Sequence, residues 1–277
     1  MHSKQEEVLW ALILGASSGF GEAAALQLAR DGYNIIGIHL DRQATMPNVL
    51  RIISEIESNG RESVFFNINA ADDEKRDEIL TKLEHRREGK PMVKVLMHSL
   101  AFGTLRAFIP KEGETGLSKA QMEMTLDVMA NSLVYWTQDL VKRGMLADKG
   151  RIFAMTSSGG HTAIPYYGAV SAAKAALESH VRQLSVELGE RGIGVNAIMA
   201  GVTDTPALRK IPGNKEMIDV AVRKNPRGRL TTPNDIARII SVLSRDGGEW
   251  ISGSVIHADG GEDVVSYIGQ NRERSSK

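Results

Sequence analysis

The chain has 277 residues, 42% of them hydrophobic and 25% charged, with a formal net charge of +0. A balanced charge supplies no global field for nucleic acid or an anionic membrane, so neither is expected as a partner. Zero cysteines exclude a disulfide frame, a thiolate nucleophile and a cysteine zinc site, and agree with a cytoplasmic setting. The longest apolar run, Val8 to Leu14, falls far short of the ~20 residues that a membrane span takes, and Met1–Glu7 lacks the basic-then-apolar layout of a signal peptide.

From the N-terminus, an apolar strand at Val8–Leu14 leads into a glycine-rich turn and an alanine-rich helix over Gly19–Asp31. Further strands are predicted at Asn34–His39, Ser63–Ile68, Met92–Met97, Arg151–Thr156, Gly194–Met199 and Ser254–His257. Between them, helices are predicted at Met46–Ser58, Asp72–Arg87, Ser118–Arg143, Pro165–Glu190 and Pro233–Ser244. This alternation predicts an α/β fold, a doubly wound parallel sheet of about seven strands with helices on both faces. No repeat, low-complexity tract or linker divides residues 1–277, which are expected to form one domain. The segment Pro206–Arg229, with two further prolines and mixed charge, breaks the alternation. A loop-helix insertion at the carboxyl edge of a parallel sheet is a usual place for a substrate lid. Residues 270–277 are expected to be a disordered tail.

Gly15, Ser17, Ser18, Gly19, Phe20 and Gly21 follow directly on the first strand. Small residues there let backbone N–H groups and a helix N-terminus approach a dinucleotide pyrophosphate. The spacing G-x-x-x-G-x-G differs from G-x-G-x-x-G, and no Lys-Ser/Thr pair follows, which argues against a P-loop. A turn needed only for tight strand–helix packing would use the same glycines. After the second strand comes His39-Leu40-Asp41-Arg42. An acid at this point binds a ribose 2′-hydroxyl and an arginine a 2′-phosphate. With both present, Arg42 favours NADPH over NADH as the cofactor, and an exposed ion pair is the plain alternative.

Tyr167 and Lys174 are separated by six residues. At 100° per residue, seven steps come back to within about 20° of the same helix face, and four steps to within about 40°. With Pro165 starting the helix, a tyrosine at 167 or at 170 would face the same groove as Lys174, but position 170 is valine. Taken singly, the tyrosine is an ordinary helix-start residue and the lysine an ordinary solvated one. Together with a nicotinamide site they form a proton-donating and ribose-binding pair.

Gly15–Gly21, Val195-Asn196-Ala197-Ile198, Ile251-Ser252-Gly253 and Asp259-Gly260-Gly261 resemble the short-chain dehydrogenase/reductase family over nearly the whole chain. Four features resemble its enoyl-acyl-carrier-protein reductase branch. They are Tyr167-x6-Lys174, His98-Ser99-Leu100-Ala101-Phe102 in place of Asn-Ala-Gly, Ala200-Gly201 in place of Pro-Gly, and Ala163-Ile164-Pro165 before the tyrosine. The resemblance implies a Rossmann-type fold and NAD(P)H-dependent reduction of the C=C bond of a trans-2-enoyl thioester in fatty-acid elongation. Tyr167 then matches the proton-donating or oxyanion-stabilising tyrosine, and Lys174 the lysine on the nicotinamide ribose, where it would also lower the tyrosine pKa. Asn69 with Ala70 would meet the adenine, and Ser99, Leu100 and Ala101 would line the cofactor. Gly201 and Val202 would lie near the carboxamide and Thr205 near the pyrophosphate. The implied partners are an acyl carrier protein or coenzyme A thioester, with Arg209, Lys210 and Lys215 as candidate contacts for an acidic carrier. A homotetramer built on the two long helices is implied as well.

The chain also departs from the branch. Ser157 stands where many bacterial members carry a second tyrosine, and this is also where ketoreductases place a catalytic serine. The asparagine of the ketoreductase relay would fall near position 129, a methionine, while Asn131 is two residues away. A carbonyl or hydroxysteroid-type reductase is therefore the second expectation, and a catalytically silent dinucleotide sensor the third. Ser157 or Ser158 with His161 lacks the setting of a nucleophile elbow, and His98 and His161 lack spaced metal-ligand partners. The eleven methionines fall mostly at helical spacing and read as packing.

Overall fold

Seven strands, all paired in parallel, form one sheet in the computed structural model, which describes residues 9–86 and 93–266. They are β1 (Trp10–Leu14), β2 (Asn34–His39), β3 (Ser63–Asn67), β4 (Val93–His98), β5 (Leu146–Ser157), β6 (Gly194–Ala200) and β7 (Val255–Ala258). Their spatial order is β3-β2-β1-β4-β5-β6-β7. The helices are α1 (Gly19–Arg30), α2 (Met46–Ser58), α3 (Asp73–Glu84), α4 (Lys119–Leu126), α5 (Ser132–Lys142), α6 (Gly168–Glu187), α7 (Asn214–Lys224) and α8 (Pro233–Leu243). The expected ends at Val8, Arg87 and Met92, the Met1–Glu7 segment and the tail at 270–277 lie outside the described residues.

Every residue of β1 and β2 is buried, as a strand covered on both faces must be. Trp10, Leu12 and Leu14 join a core beneath α3, α5 and α6, whereas Ala11 and Ile13 join a second core beneath α1, α2 and α8. The period of two thus divides each strand between two hydrophobic layers. Local sequence sets several helix starts. Ser118 and Gln121 close a capping box on α4, Thr232 and Asp235 another on α8 behind Pro233, and Asp72 accepts from the Lys75 N–H at the head of α3. Each such cap contributes about 1 kcal/mol. Among the described residues no helix is long and apolar enough to cross a membrane.

Two expected helices differ from the observed ones. The stretch Ser118–Arg143 is interrupted by a π-helical turn over Asp127–Asn131 between α4 and α5. Ser132 Oγ donates back to the Val128 carbonyl at 2.8 Å, and Thr125 and Thr137 do the same to Gln121 and Leu133. Hydroxyls that compete for helix carbonyls bend a helix and ease a bulge into it. The second helix starts at Gly168 rather than Pro165. Ile164-Pro165-Tyr166-Tyr167 is a β-turn instead, closed by the Tyr167 N–H on the Ile164 carbonyl at 3.1 Å, with Tyr166 at φ 64°. Proline suits the second position of a turn whose third residue has positive φ, so its fixed φ serves the turn and not the helix.

Strand order reverses between β1 and β4, so the loops leaving them part and open a crevice at the carboxyl edge of the sheet.

Candidate active site

The crevice holds two joined cavities. One, of about 340 Å³, runs over Gly15, Ser17, Ser18 and Gly19 to Asp41, Asn69 and Ala70. The other, of about 190 Å³, lies over Ser157, Tyr167, Lys174, Gly201, Val202, Thr203 and Thr205. Phe20, Ser99, Leu100, Ala101 and Thr205 line both, so the trough is continuous. Its floor is close backbone. A Cβ on Gly15 would stand 2.5 Å from the Ser99 carbonyl oxygen, and one on Gly21 would stand 2.0 Å from that of Gly15. Gly21 does not line the trough; it lets α1 close onto the turn. Gly19, at φ 57°, faces the Thr205 methyl. Ser18 makes no side-chain cap bond, which leaves the first N–H groups of α1 open to an anion. The continuous trough, the close backbone of the glycine turn and the open start of α1 fit a dinucleotide.

At the far end of the trough the structure separates the two residues that sequence left competing. The Asp41 carboxylate lines it and is bonded to His39 Nδ1 at 3.0 Å. Burial works to raise its pKa, but hydrogen bonds led by the Ser17 hydroxyl outweigh this and hold it below the ordinary value. Arg42, the residue expected to meet a 2′-phosphate, is exposed and is not part of the trough lining.

At the other end, α6 and β5 bring together Ser157, Tyr167 and Lys174. The Tyr167 ring lies against Gly159, where a Cβ would stand 2.5 Å from Cε1. Lys174, 5% exposed, donates from Nζ to the Met155 carbonyl at 2.7 Å. Burial brings its pKa down to about 8, with Glu178 acting in the opposite sense. Burial pushes the Tyr167 phenol up, opposed by the nearby Ser157 hydroxyl. The expected lowering by Lys174 does not occur, because its ammonium is turned to the strand carbonyl and the ring is desolvated. Ser157 Oγ is buried beside the cavity and completes no hydrogen bond with a described residue. Beneath the site His98 is 0% exposed, and Nε2 meets Ser132 Oγ at 2.9 Å. That hydroxyl spends its proton on the Val128 carbonyl, so Nε2 carries the imidazole proton. Burial brings the His98 pKa down to about 3 and keeps it neutral.

Met129 and Val170 line the cavity together, and a Cβ on Gly103 would touch both within 2.9 Å. Asn131 instead bonds His180 at 3.0 Å, away from the trough. The segment expected as a lid carries α7 and supplies Ala207, Leu208, Lys210, Ile211 and Met217 to the cavity wall. Arg209 is paired with Asp204 at 2.8 Å, Lys215 is exposed, and Lys210 lines both cavities rather than only an outer face. Gly201 and Val202 lie over Glu262, whose Oε1 accepts the Val202 N–H at 3.2 Å. Sequence reasoning missed Thr203, buried in the cavity wall, and Glu178, although its place four residues after Lys174 was a usable signal.

A family model described as enoyl-(acyl carrier protein) reductase matches residues 15–262. The chain is 30% identical over 179 residues to the NADH-dependent enoyl-[acyl-carrier-protein] reductase FabI of Aquifex aeolicus, covering 65% of each chain. It is 29% identical over 256 residues to the 3-oxoacyl-[acyl-carrier-protein] reductase FabG of Pseudomonas aeruginosa, covering 91% of this chain and 96% of that one. The crystal structure of the Aquifex aeolicus VF5 enoyl reductase superposes with a TM-score of 0.80 at 25% identity, over 95% of this chain and 99% of that one.

Proposed function

Because this chain belongs to the short-chain dehydrogenase/reductase family and is one of its oxidoreductases, we propose that it reduces the C=C bond of a trans-2-enoyl thioester. One observation carries this reading. Tyr167 opens into the cavity, while the position one helical turn further on, where a carbonyl reductase keeps its proton donor, is Val170, packed with Met129 as an apolar wall.

A reduced nicotinamide bound in the trough would supply the hydride for the substrate β-carbon, and a proton from solvent would complete the reduction at the α-carbon. The Tyr167 hydroxyl donates a hydrogen bond to the thioester oxygen as negative charge builds there, and a preorganised donor of this kind is worth about 2.7–4 kcal/mol. A phenol whose pKa is raised by burial keeps its proton for that task. Ser157 Oγ offers a second donor to the same oxygen. Lys174 spends one proton on the Met155 carbonyl, and its others would be left to hold the nicotinamide ribose. Leu105, Met129, Ile164, Val170 and Met217 take the acyl chain and exclude water.

Asp41 on the trough wall and the exposure of Arg42 support NADH, where the sequence alone favoured NADPH. The thioester is carried by an acyl carrier protein or coenzyme A, and the enzyme is a homotetramer through α4, α5 and α6. Sedimentation velocity checks the assembly. Ser157 and the near-equal likeness to FabG favour a second reading, reduction of a ketone. The deciding experiment follows reduced-nicotinamide absorbance with crotonyl and acetoacetyl thioesters, each with NADH and NADPH. Turnover of the crotonyl substrate alone, lost in Tyr167→Phe, supports the proposal; turnover of the acetoacetyl substrate alone overturns it.

A further inference from the structure

The β5–α6 junction holds one carboxylate that the mechanism above leaves unused. Glu178 lies four residues beyond Lys174 on α6, a spacing that places both side chains on one helix face. Its Oε1 accepts a 2.6 Å hydrogen bond from Thr156 Oγ1. Thr156 is itself buried. Its neighbours on β5 are Met155, whose carbonyl holds Lys174, and Ser157, which lines the cavity. Gly160 comes up against both acid and base. A Cβ there would stand 3.2 Å from Glu178 Oε1 and 3.4 Å from Lys174 Cβ. The half-buried Glu178 carboxyl thus meets the strand end, the loop and the helix that carry the three catalytic side chains.

We propose that Glu178 is a positioning residue, whose carboxylate ties the end of β5 to α6 through Thr156 and faces the Lys174 ammonium as its countercharge. The proposal rests on the reading of Lys174 given above. The other titratable groups around that lysine leave this role to Glu178. From β4 comes His98, held neutral, from the turn before α6 Tyr167, also neutral, and from α6 itself His180, bonded to Asn131. Asp127 of the π-helical turn faces Asp73 and Arg76 instead. β6 brings no charged side chain. Burial favours the neutral lysine and Glu178 acts against it. An ammonium in so dry a place needs such a partner to stay charged.

The test is a heteronuclear NMR titration of the cofactor-free protein labelled on lysine, with the Lys174 signal assigned by its loss in Lys174→Met. Glu178→Gln keeps the shape and removes the charge. The Lys174 midpoint should fall by about one pH unit or more, and the alkaline limb of kcat/KM should move down with it. Thr156→Val keeps the charge and breaks the tie, so kcat should fall several-fold with the midpoint in place. An unmoved midpoint in Glu178→Gln would make the carboxylate a mere strut and overturn the proposal. A midpoint shifted equally in Thr156→Val would overturn it too. Should Glu178→Gln fail to fold, Glu178→Asp takes its place. Lengthening the charge separation must lower the midpoint by a smaller amount, and no change counts against the idea. The titration needs neither cofactor nor substrate. A wild type that ignores crotonyl thioester therefore sinks the enoyl reading alone, and the Glu178 result is still decisive.

Discussion

The two ends of the trough are built on different physics. At the β1–α1 turn the fit is made by backbone packed so closely that Cβ atoms at Gly15 and Gly21 would overlap carbonyl oxygens. At the β5–α6 junction the fit is made by polar groups taken out of water, with Lys174, Tyr167 and His98 all shifted from their ordinary pKa values by burial. The first end is fragile above all to added volume. The second is fragile to the loss of a partner as well, because an unpaired polar group in a dry site costs several kcal/mol.

The sharpest way to test this contrast is at the electrostatic end. Tyr167→Phe removes one donor and no volume, so kcat should fall by about 10²–10³-fold while the affinity for NADH, measured by fluorescence, stays within twofold. Equal losses in both would mean that the tyrosine also shapes the cofactor site. At the packed end, Gly21→Ala adds one methyl where no space exists. It should cost about 3 kcal/mol of stability and weaken cofactor binding, as read by urea unfolding and a binding titration. A stable variant that binds normally would break the contrast.

The buried histidine gives a smaller, graded effect. Below about 6.5 the unfolded chain takes up a proton at His98 that the folded chain refuses until about 3. Its contribution to stability is therefore complete above 6.5 and is lost as pH falls through this window, at roughly 1.4 kcal/mol per pH unit. His98→Gln should flatten the fall in urea stability between pH 6 and pH 4 by about that slope; an unchanged slope would place the acid sensitivity elsewhere. The smallest expected effect lies in the turn between the two regimes. Tyr166 holds φ 64°, which costs a residue with a Cβ about 1–2 kcal/mol. Tyr166→Asn, in a residue type that accepts this region, should raise the melting free energy by about 1 kcal/mol. A loss instead would mean that contacts of the half-buried ring outweigh the strain.

What was legible in the sequence is what short-range rules control. Strand β2 and helix α2 fall on their expected bounds, and the other elements shift by a few residues at their ends. Apolar runs and caps act within a few positions, so Ser118, Thr232 and Pro233 could be read directly. The glycine turn, Tyr167 and Lys174 could be named as candidates because their spacing is itself local, and Ser157 because of its place relative to the tyrosine. The π-helical turn and the true start of α6 were not, since each is a contest between two permitted local structures. Back-bonding hydroxyls decide the first and a β-turn at Pro165 decides the second.

By itself, then, the order of residues determined a parallel doubly wound sheet, a glycine turn at its first strand and a tyrosine–lysine pair at its fifth. Only the tertiary structure decided that Asp41 rather than Arg42 meets the trough, that Met129 and Val170 close one wall, and that Glu178 reaches Thr156 across the junction. It also reversed the expected effect on Tyr167. The pKa of a side chain depends on how much water its neighbours remove, and those neighbours come from strands and helices far apart in the chain.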